Sequence, residues 1–298
     1  MPSAENNTSR GFFTLAQQTQ GTDYVRLAYA LALSLKASQR QTQALSIGVT
    51  PGTVVDERYA WAFDKIVEIP WGDHAADSEW KLENEWKAIH MSPYDETIKL
   101  DADMLFFNDI GSWWDVISQR DFAICNRVLD YRASTVQNDY YRKTFTENNL
   151  PNVYTAMMYF RKTDSSFELF ELVKYIFFNW RRMFEVNLSP DHRPNFPSTD
   201  VIFAIALKLL DMEQSCYREQ QLPTFTHMKT QLQGWGTEGL TEDWTAHMSV
   251  FFNPALECKI GNYLQFFPLH YHVKTFITDE ILDFYERAVN RTSGMALV

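Results

Sequence analysis

Short apolar runs alternate with an amphipathic segment at the start of the chain. Residues 12–16, 44–50 and 65–69 are apolar runs of strand length, and turn-forming Pro and Gly residues follow the last two. Between the first two runs, residues 24–35 place apolar side chains at three- and four-residue spacing, which predicts a helix with one face on a sheet. Thr22 is the predicted N-cap of this helix.

The same alternation continues along the chain. The further predicted elements are a helix at 79–91, a strand at 97–107, a short helix at Trp113-Trp114, strands at 121–126 and 153–161, and helices at 167–185 and 201–210. The two tryptophans are expected to pack in the core rather than to form a sugar platform. Residues 130–150 are polar and lack a clear period, so we predict a mobile lid there.

Strands that alternate with helices predict an α/β fold with a mostly parallel, Rossmann-like central sheet flanked by helices. The segments after the last predicted helix are aromatic and irregular, so the C-terminal part is expected to be irregular. With 298 residues, of which 45% are hydrophobic, the chain is long enough for one large core. We therefore predict a single domain over residues 1–298, with residues 1–10 as a loose leader.

Charge and cysteine content narrow the function classes. The formal net charge of -11 argues against an extended nucleic-acid surface, which would need many Lys and Arg residues. The three cysteines are far apart and odd in number, so neither a disulfide framework nor a zinc knuckle is indicated. The polar N-terminus predicts no signal peptide and no apolar run is long enough to span a bilayer, so we expect a cytoplasmic protein without stable membrane insertion.

The predicted strand at 97–107 carries the candidate chemistry. Asp101 and Asp103 stand at the end of an apolar run, where a buried carboxylate needs a functional reason. The carboxyl ends of strands border the ligand crevice of an open α/β sheet, and acids there can hold a divalent cation that contacts phosphate oxygens. The spacing alone is weak evidence, because a solvated turn after a strand gives the same pattern.

Motifs of other enzyme classes are missing from the sequence. No Ser-His-Asp order, no phosphate-binding Gly loop and no Gly-x-Gly-x-x-Gly is present. Hydrolase, kinase and dehydrogenase functions therefore lack their characteristic residues.

Four blocks of sequence resemble one known family. The most specific is SPYDETIKLDADML at residues 92–105, and the others are residues 13–16 with Tyr24, residues 154–160 and residues 198–201. Together they resemble the glycogenin-like and lipopolysaccharide galactosyltransferase-like family of retaining, nucleotide-sugar-dependent glycosyltransferases. The resemblance covers most of residues 11–276 and implies a GT-A fold, with a nucleotide-binding half at 11–125, a sugar and acceptor half at 126–276, and a C-terminal helix and tail at 277–298.

The resemblance also implies roles for individual residues. Asp103 is the expected metal ligand, Asp101 a ligand that also meets the ribose, His270 the third ligand, and Lys274 a contact to the phosphates. The remaining donor contacts are expected at Thr14, Leu15, Ala16, Tyr24 and Ala156, and Asp200 is the expected catalytic residue on the sugar side. Two carboxylates with one imidazole favour Mn²⁺ over Mg²⁺.

Several alternatives stay open at the level of sequence. His272 and His227 compete with His270 for the metal, since the family's terminal His and Lys are closer together here. The family has other residues at Tyr154, Ala156 and Val201, and a Lys where this chain has Glu85, so the donor can differ from the expected UDP-sugar. A non-catalytic nucleotide-sugar-binding module and a sugar-phosphate nucleotidyltransferase are the alternative functions.

The resemblance leaves the reaction partners and the stereochemical route undefined. The acceptor can be a glycan, a lipid, a protein or a modified nucleic acid, and a homo-oligomer is compatible with the sequence. Retention is compatible with attack by Asp200 on the sugar, or with deprotonation of the acceptor by the departing phosphate.

Overall fold

The structure is a computed structural model that describes residues 9–19, 21–41, 43–75, 83–136, 142–217, 223–229 and 243–292. The strands are β1 (Arg10–Ala16), β2 (Leu45–Val49), β3 (Ile66–Glu68), β4 (Glu96–Leu100), β5 (Met104–Leu105), β6 (Phe122–Cys125), β7 (Tyr154–Arg161), β8 (Cys216–Tyr217), β9 (Thr226–His227), β10 (Val250–Phe252), β11 (Cys258–Ile260), β12 (Tyr263–Gln265) and β13 (Leu269–His270). The helices are α1 (Tyr24–Ser38), α2 (Glu57–Ala60), α3 (Ala88–Met91), α4 (Trp113–Ile117), α5 (Lys143–Glu147), α6 (Asp164–Phe178), α7 (Trp180–Asn187), α8 (Thr199–Leu209) and α9 (Asp279–Thr292).

Seven strands form the central sheet in the order β3-β2-β1-β4-β7-β6-β8. Strand β7 runs antiparallel to both of its neighbours, and the other neighbouring strands are parallel. The predicted α/β class with a mostly parallel central sheet flanked by helices is therefore confirmed. Since strand order reverses between β1 and β4, the carboxyl end of β4 lies where a ligand crevice is expected in an open α/β sheet.

Helices cover the sheet on both faces and divide the core into two layers. One layer packs α1 and α9 with residues such as Phe12 and Ile98, while the other packs α6 and α8 with residues such as Phe13 and Phe160. Successive residues of a strand point to opposite faces, so Phe12 and Phe13 belong to different layers. Burial of apolar surface on both faces explains why the strands read as nearly continuous apolar runs.

Helix α1 is where the pattern predicts, but its cap is one residue later than predicted. Asp23, not Thr22, is the N-cap, and its carboxylate accepts a hydrogen bond from the Arg26 backbone N–H at 3.0 Å. Both residue types can cap a helix, and only the backbone path before Tyr24 decides between them.

Three other predicted segments differ from the structure. The single helix at 167–185 is two helices, α6 and α7, because the chain breaks at Asn179. The helix at 79–91 is a 3₁₀ turn at Glu85–Lys87 followed by the short α3, and residues 79–82 lie outside the described part of the chain. The segment at 130–150 is not irregular throughout, since it contains α5.

The structure describes part of the segment at 130–150, for which a mobile lid was predicted. Residues 137–141 of the segment lie outside the described residues, and from Arg142 onward the chain is packed, with Arg142 and Phe145 buried. The predicted tryptophan packing is confirmed, because Trp113 and Trp114 are buried in the core.

A small sheet brings the C-terminal part of the chain to the end of β4. Its order is β5-β13-β9, with β13 antiparallel to β5 and parallel to β9. The pairing places His270 opposite Met104 on one side and His227 on the other.

Within the described residues, the helices are too short or too polar to cross a bilayer.

Candidate active site

The acidic pair lies at the exit of a buried central strand. Asp101 follows the last residue of β4, and its backbone N–H donates to the Ala156 carbonyl at 2.9 Å. Asp103 precedes β5, and its own carbonyl accepts a hydrogen bond from the Tyr271 N–H at 3.2 Å. The backbone of both acidic residues is therefore held by neighbouring segments, and the acids interrupt a buried strand as the sequence predicted.

Asp101, Asp103 and His270 converge. One ligand atom from each lies within 4.8 Å of the others, and this group is the candidate metal site of the described residues. The Nε2 atom of His270 lies 3.2 Å from Asp103 Oδ2 and 3.8 Å from Asp101 Oδ2. Asp103 and His270 are buried, while Asp101 is partly exposed. The structure thus brings together the three residues to which the family resemblance assigned the metal.

The electrostatics favour ionised carboxylates at this site. Burial alone would raise the pKa of Asp103, but the Lys274 ammonium and the His270 ring outweigh burial and hold that pKa well below its ordinary value. The pKa of Asp101 is also lowered, since Lys99 and His270 outweigh the effect of burial. Metal ligation needs the carboxylate form, and this environment provides it.

Lys274 and Tyr24 border the acidic pair. The Lys274 ammonium donates a hydrogen bond to Asp103 Oδ2 and lies 5.7 Å from the centroid of the Tyr24 ring. Burial would lower the pKa of Lys274, but Asp103 outweighs it and the pKa is raised, so the side chain is a cation. Tyr24 is the first residue of α1 and is partly buried. Both predicted donor-contact residues therefore lie beside the candidate metal site.

A buried cation, Lys99, pairs with Asp101. Lys99, on β4, is 1% exposed, and its Nζ lies 2.8 Å from Asp101 Oδ1 and 2.5 Å from Glu85 Oε2. Burial would lower the pKa of Lys99, but the two carboxylates reverse the effect and raise it. Glu85, which stands where the family has a Lys, is thus paired with a lysine from the strand, and burial raises its pKa more than Lys99 lowers it.

The alternative histidines occupy different positions. His227 Nδ1 lies 3.0 Å from His270 Nδ1, on the side of the ring away from the Nε2 atom that faces the acids. Burial lowers the pKa of His227 far below its ordinary value, so its ring is neutral. The His272 ring centroid lies 5.7 Å from that of His270, and burial lowers the pKa of His272 to about 4.

Asp200 lies at the first turn of α8, beside β7. Its Oδ1 accepts hydrogen bonds from the Thr155 N–H at 2.9 Å and the Thr155 hydroxyl at 2.8 Å, and its Oδ2 accepts one from Arg142 Nη2 at 2.8 Å. Arg142 also lies over the Tyr154 ring, with 3.6 Å between the guanidinium carbon and the ring centroid. Both oxygens of Asp200 are therefore held in place, and Ala156 lies next to this group on the same strand.

Strand β1, which pairs with β4, ends in the segment predicted to contact the donor. Thr14, Leu15 and Ala16 are all buried, and Thr14 pairs with Leu100 in the neighbouring strand β4. The Thr14 hydroxyl is buried and has no hydrogen-bond partner among the described residues. This predicted donor-binding segment thus lies one strand from the acids.

Sequence analysis missed Lys99, Arg142 and Thr155 as site residues. A lysine inside a buried strand is a usable signal, because a buried ammonium requires a buried counter-charge. Arg142 stands in a polar segment without periodicity, and nothing in its sequence neighbourhood distinguishes it from an exposed arginine.

Known proteins match this chain in structure but not in sequence. No protein-family model matches the chain, and no curated protein matches it by sequence. The mouse xyloside xylosyltransferase 1, in its apo form, aligns over 90% of this chain and 99% of its own, with 12% identity and a TM-score of 0.48.

The galactosyltransferase LgtC, solved in complex with donor and acceptor sugar analogues, aligns over 97% of both chains. The identity is 11% and the TM-score is 0.50. The two chains therefore share an architecture along nearly their whole length. The expected GT-A glycosyltransferase fold is confirmed for this chain, with the Asp-x-Asp pair at the end of β4.

Proposed function

We propose that this protein is a metal-dependent glycosyltransferase that moves a sugar from a nucleotide-sugar donor, a UDP-sugar above all, to an acceptor with retention of configuration. The observation that carries the proposal is the convergence of Asp101, Asp103 and His270 within 4.8 Å at the carboxyl end of β4. The GT-A fold supports it, since LgtC was solved with donor and acceptor sugar analogues.

The residues present fit a divalent cation. The cluster offers two carboxylates, both with lowered pKa values, and the Nε2 atom of an imidazole aimed at them. Hard oxygen ligands with one imidazole suit Mn²⁺ better than Mg²⁺. When bound, the cation would act as a Lewis acid that neutralises the diphosphate leaving group. Asp101, Asp103 and His270 are the residues that would hold it.

The surrounding residues define a donor side of the site. Lys274 places a positive charge next to Asp103, where it can bind phosphate oxygens as a point charge. Tyr24 flanks this ammonium, and the β1 end at Thr14–Ala16 offers buried backbone one strand away from the acids. Asp101 retains partial exposure, so it can also accept a hydrogen bond from a ribose hydroxyl.

Asp200 is the proposed catalytic residue on the sugar side. Arg142 and Thr155 hold both of its oxygens, which fixes the direction of the carboxylate. A carboxylate held in this way stabilises positive charge that develops on the sugar ring as the bond to the diphosphate breaks. Both routes to retention are compatible with these contacts, since Oδ2 accepts one hydrogen bond and each carboxylate oxygen has two lone pairs.

The proposal is tested by a donor screen with purified protein. UDP-sugars and GDP-sugars are incubated with and without Mn²⁺, and release of the nucleoside diphosphate is measured. We expect release of UDP that needs Mn²⁺ and is abolished by a chelator. A wild-type protein that binds neither nucleotide nor metal would refute the proposal.

The same screen separates the alternatives. Nucleotide affinity without a product in any acceptor panel would identify a binding module, which the residues at Glu85, Ala156 and Val201 allow. Formation of pyrophosphate from a nucleoside triphosphate and a sugar phosphate would identify a nucleotidyltransferase.

A further inference from the structure

Two histidine rings meet behind the candidate metal site. His227 Nδ1 and His270 Nδ1 are 3.0 Å apart, and the ring centroids are 4.9 Å apart. The opposite ring nitrogen of His270, Nε2, faces Asp103 Oδ2 at 3.2 Å. His270 thus has one nitrogen on the acidic pair and the other on His227.

The backbone holds this pair in register. His270 and His227 are directly paired in the parallel strands β13 and β9, and the Met228 N–H donates to the His270 carbonyl at 2.9 Å. The His227 N–H donates to the Leu129 carbonyl at 2.8 Å. Both rings therefore project from paired strand positions, and their contact is built into the sheet.

With a cation on Nε2 of His270, the hydrogen bond between the rings would require one tautomer of each ring. A neutral imidazole that offers its Nε2 lone pair to a cation must carry its proton on Nδ1. That Nδ1–H needs an acceptor, and His227 Nδ1 is the atom at hydrogen-bond distance. His227 then accepts on Nδ1 and carries its own proton on Nε2.

We propose that His227 is a positioning residue: it accepts the Nδ1–H of His270 and thereby fixes the ring in the orientation and tautomer that would present the Nε2 lone pair to a cation held by the acidic pair. This inference rests on the proposed function, which assigns His270 to the metal. Partners of this kind usually are carboxylates or backbone carbonyls, and their loss lowers metal affinity about 10- to 100-fold.

His227 is itself fixed from the sugar side. The Tyr154 ring packs edge-on against it, with 5.8 Å between centroids, and Arg142 covers Tyr154. Arg142 is also the residue bonded to Asp200. A continuous set of contacts through Arg142 and Tyr154 therefore connects Asp200 with the ring that orients the proposed metal ligand.

Two substitutions separate positioning from packing. His227→Phe keeps a planar ring in the buried space and removes the acceptor, whereas His227→Asn removes the ring and places an amide oxygen near the Nδ1 position. We expect Mn²⁺ affinity, measured by the electron paramagnetic resonance of free Mn²⁺, to fall about 10- to 100-fold in His227→Phe and about 3-fold or less in His227→Asn. A packing role predicts the reverse order, and that order would overturn the proposal.

A second measurement needs no metal. Long-range proton–nitrogen spectra of the histidine side chains, recorded with a chelator, report which ring nitrogens carry protons. The Asp103 carboxylate can only accept, so without a metal the His270 Nε2 atom carries a proton toward it, and the spectra show whether Nδ1 carries one as well. We expect a proton on His270 Nδ1 in the wild type and in His227→Asn, and its loss in His227→Phe. Retention of the Nδ1 proton in His227→Phe would overturn the inference.

The two measurements also separate the inference from the proposed function. If the wild type fails to bind Mn²⁺, the proposed function fails, while the presence or absence of the His270 Nδ1 proton in the metal-free protein still decides whether His227 orients the ring.

Discussion

Lys99 Nζ lies 2.8 Å from Asp101 Oδ1 and 2.5 Å from Glu85 Oε2, so one buried ammonium joins a partly exposed candidate metal ligand to a buried carboxylate. Burial raises the pKa of Glu85 and the Lys99 charge opposes this effect, since an unpaired charge in the interior is strongly unfavourable. The ion pair connects the strand that carries the acids to the 3₁₀ turn before α3.

Lys99→Met is expected to destabilise the protein by about 3 to 5 kcal/mol, because it leaves Glu85 and Asp101 without their buried partner. The double variant Lys99→Met/Glu85→Gln is expected to recover a large part of this loss, since it removes one of the stranded charges. Urea unfolding of the three proteins measures both effects. Equal stability of the single and double variants would contradict the role of the ion pair.

Asp103→Asn is expected to lower Mn²⁺-dependent release of UDP by about 100-fold or more, because the neutral amide removes the negative charge that holds the cation. The shape of the side chain is conserved, so the fold is expected to persist in circular dichroism. Asp115→Asn, on the exposed face of α4, is the matched control and is expected to behave as the wild type. Full activity of Asp103→Asn would rule out its assignment to the metal.

Arg142→Lys is expected to reduce sugar transfer by about 100-fold, since lysine cannot reproduce both the bond to Asp200 and the planar contact with Tyr154. Affinity for UDP is expected to stay near that of the wild type, because Lys274 and Tyr24 are unchanged. Calorimetry with UDP and a transfer assay measure the two quantities separately. Arg181→Lys, at an exposed position of α7, serves as control, and a parallel loss of UDP affinity in Arg142→Lys would contradict a sugar-side role.

His272 is expected to make folding stability depend on pH. Burial lowers its pKa from 6.5 to about 4, and His270 adds to this effect. The unfolded chain therefore binds a proton that the folded protein does not, and stability falls as the pH decreases from 6.5 toward about 4. Each pKa unit corresponds to about 1.4 kcal/mol, so the loss near pH 5 is roughly 2 kcal/mol.

His272→Asn is expected to remove this part of the pH dependence. Asn tolerates the left-handed backbone at this position, where φ is 57°. Urea unfolding of wild type and variant, with a chelator present, gives the difference in stability at about pH 7 and about pH 5. An identical pH dependence of the two proteins would show that His272 is not buried in its neutral form.

Gly11→Ala is expected to destabilise the protein by about 1 to 3 kcal/mol through overpacking. A Cβ at Gly11 would lie 2.5 Å from the Tyr94 ring. The ring has little freedom to move, since its hydroxyl bonds to Ser46 at 2.7 Å and to Asp64 at 2.9 Å. Gly21→Ala, which meets no atom within 4 Å, is the control and is expected to leave the midpoint of urea unfolding unchanged.

The sequence by itself determined the fold class and the identity of the acidic pair. Runs such as residues 12–16 and 44–50 are continuous in the chain, and their apolar patterns reflect burial in a strand whatever its partners. Asp101 and Asp103 could be recognised for the same reason, because the block at 92–105 holds the strand and both acids together. His270 and Lys274 followed from the resemblance, although the choice among three histidines stayed open.

Only the tertiary structure decided how these residues are held. Strand register places His270 next to His227, and the antiparallel strand β7 brings Thr155 to Asp200. The helix break at Asn179 and the cap at Asp23 likewise follow from packing and backbone path rather than from periodicity. Such contacts join residues that are far apart in the chain, and no local pattern encodes which of many compatible partners the folded sheet brings within a few ångströms.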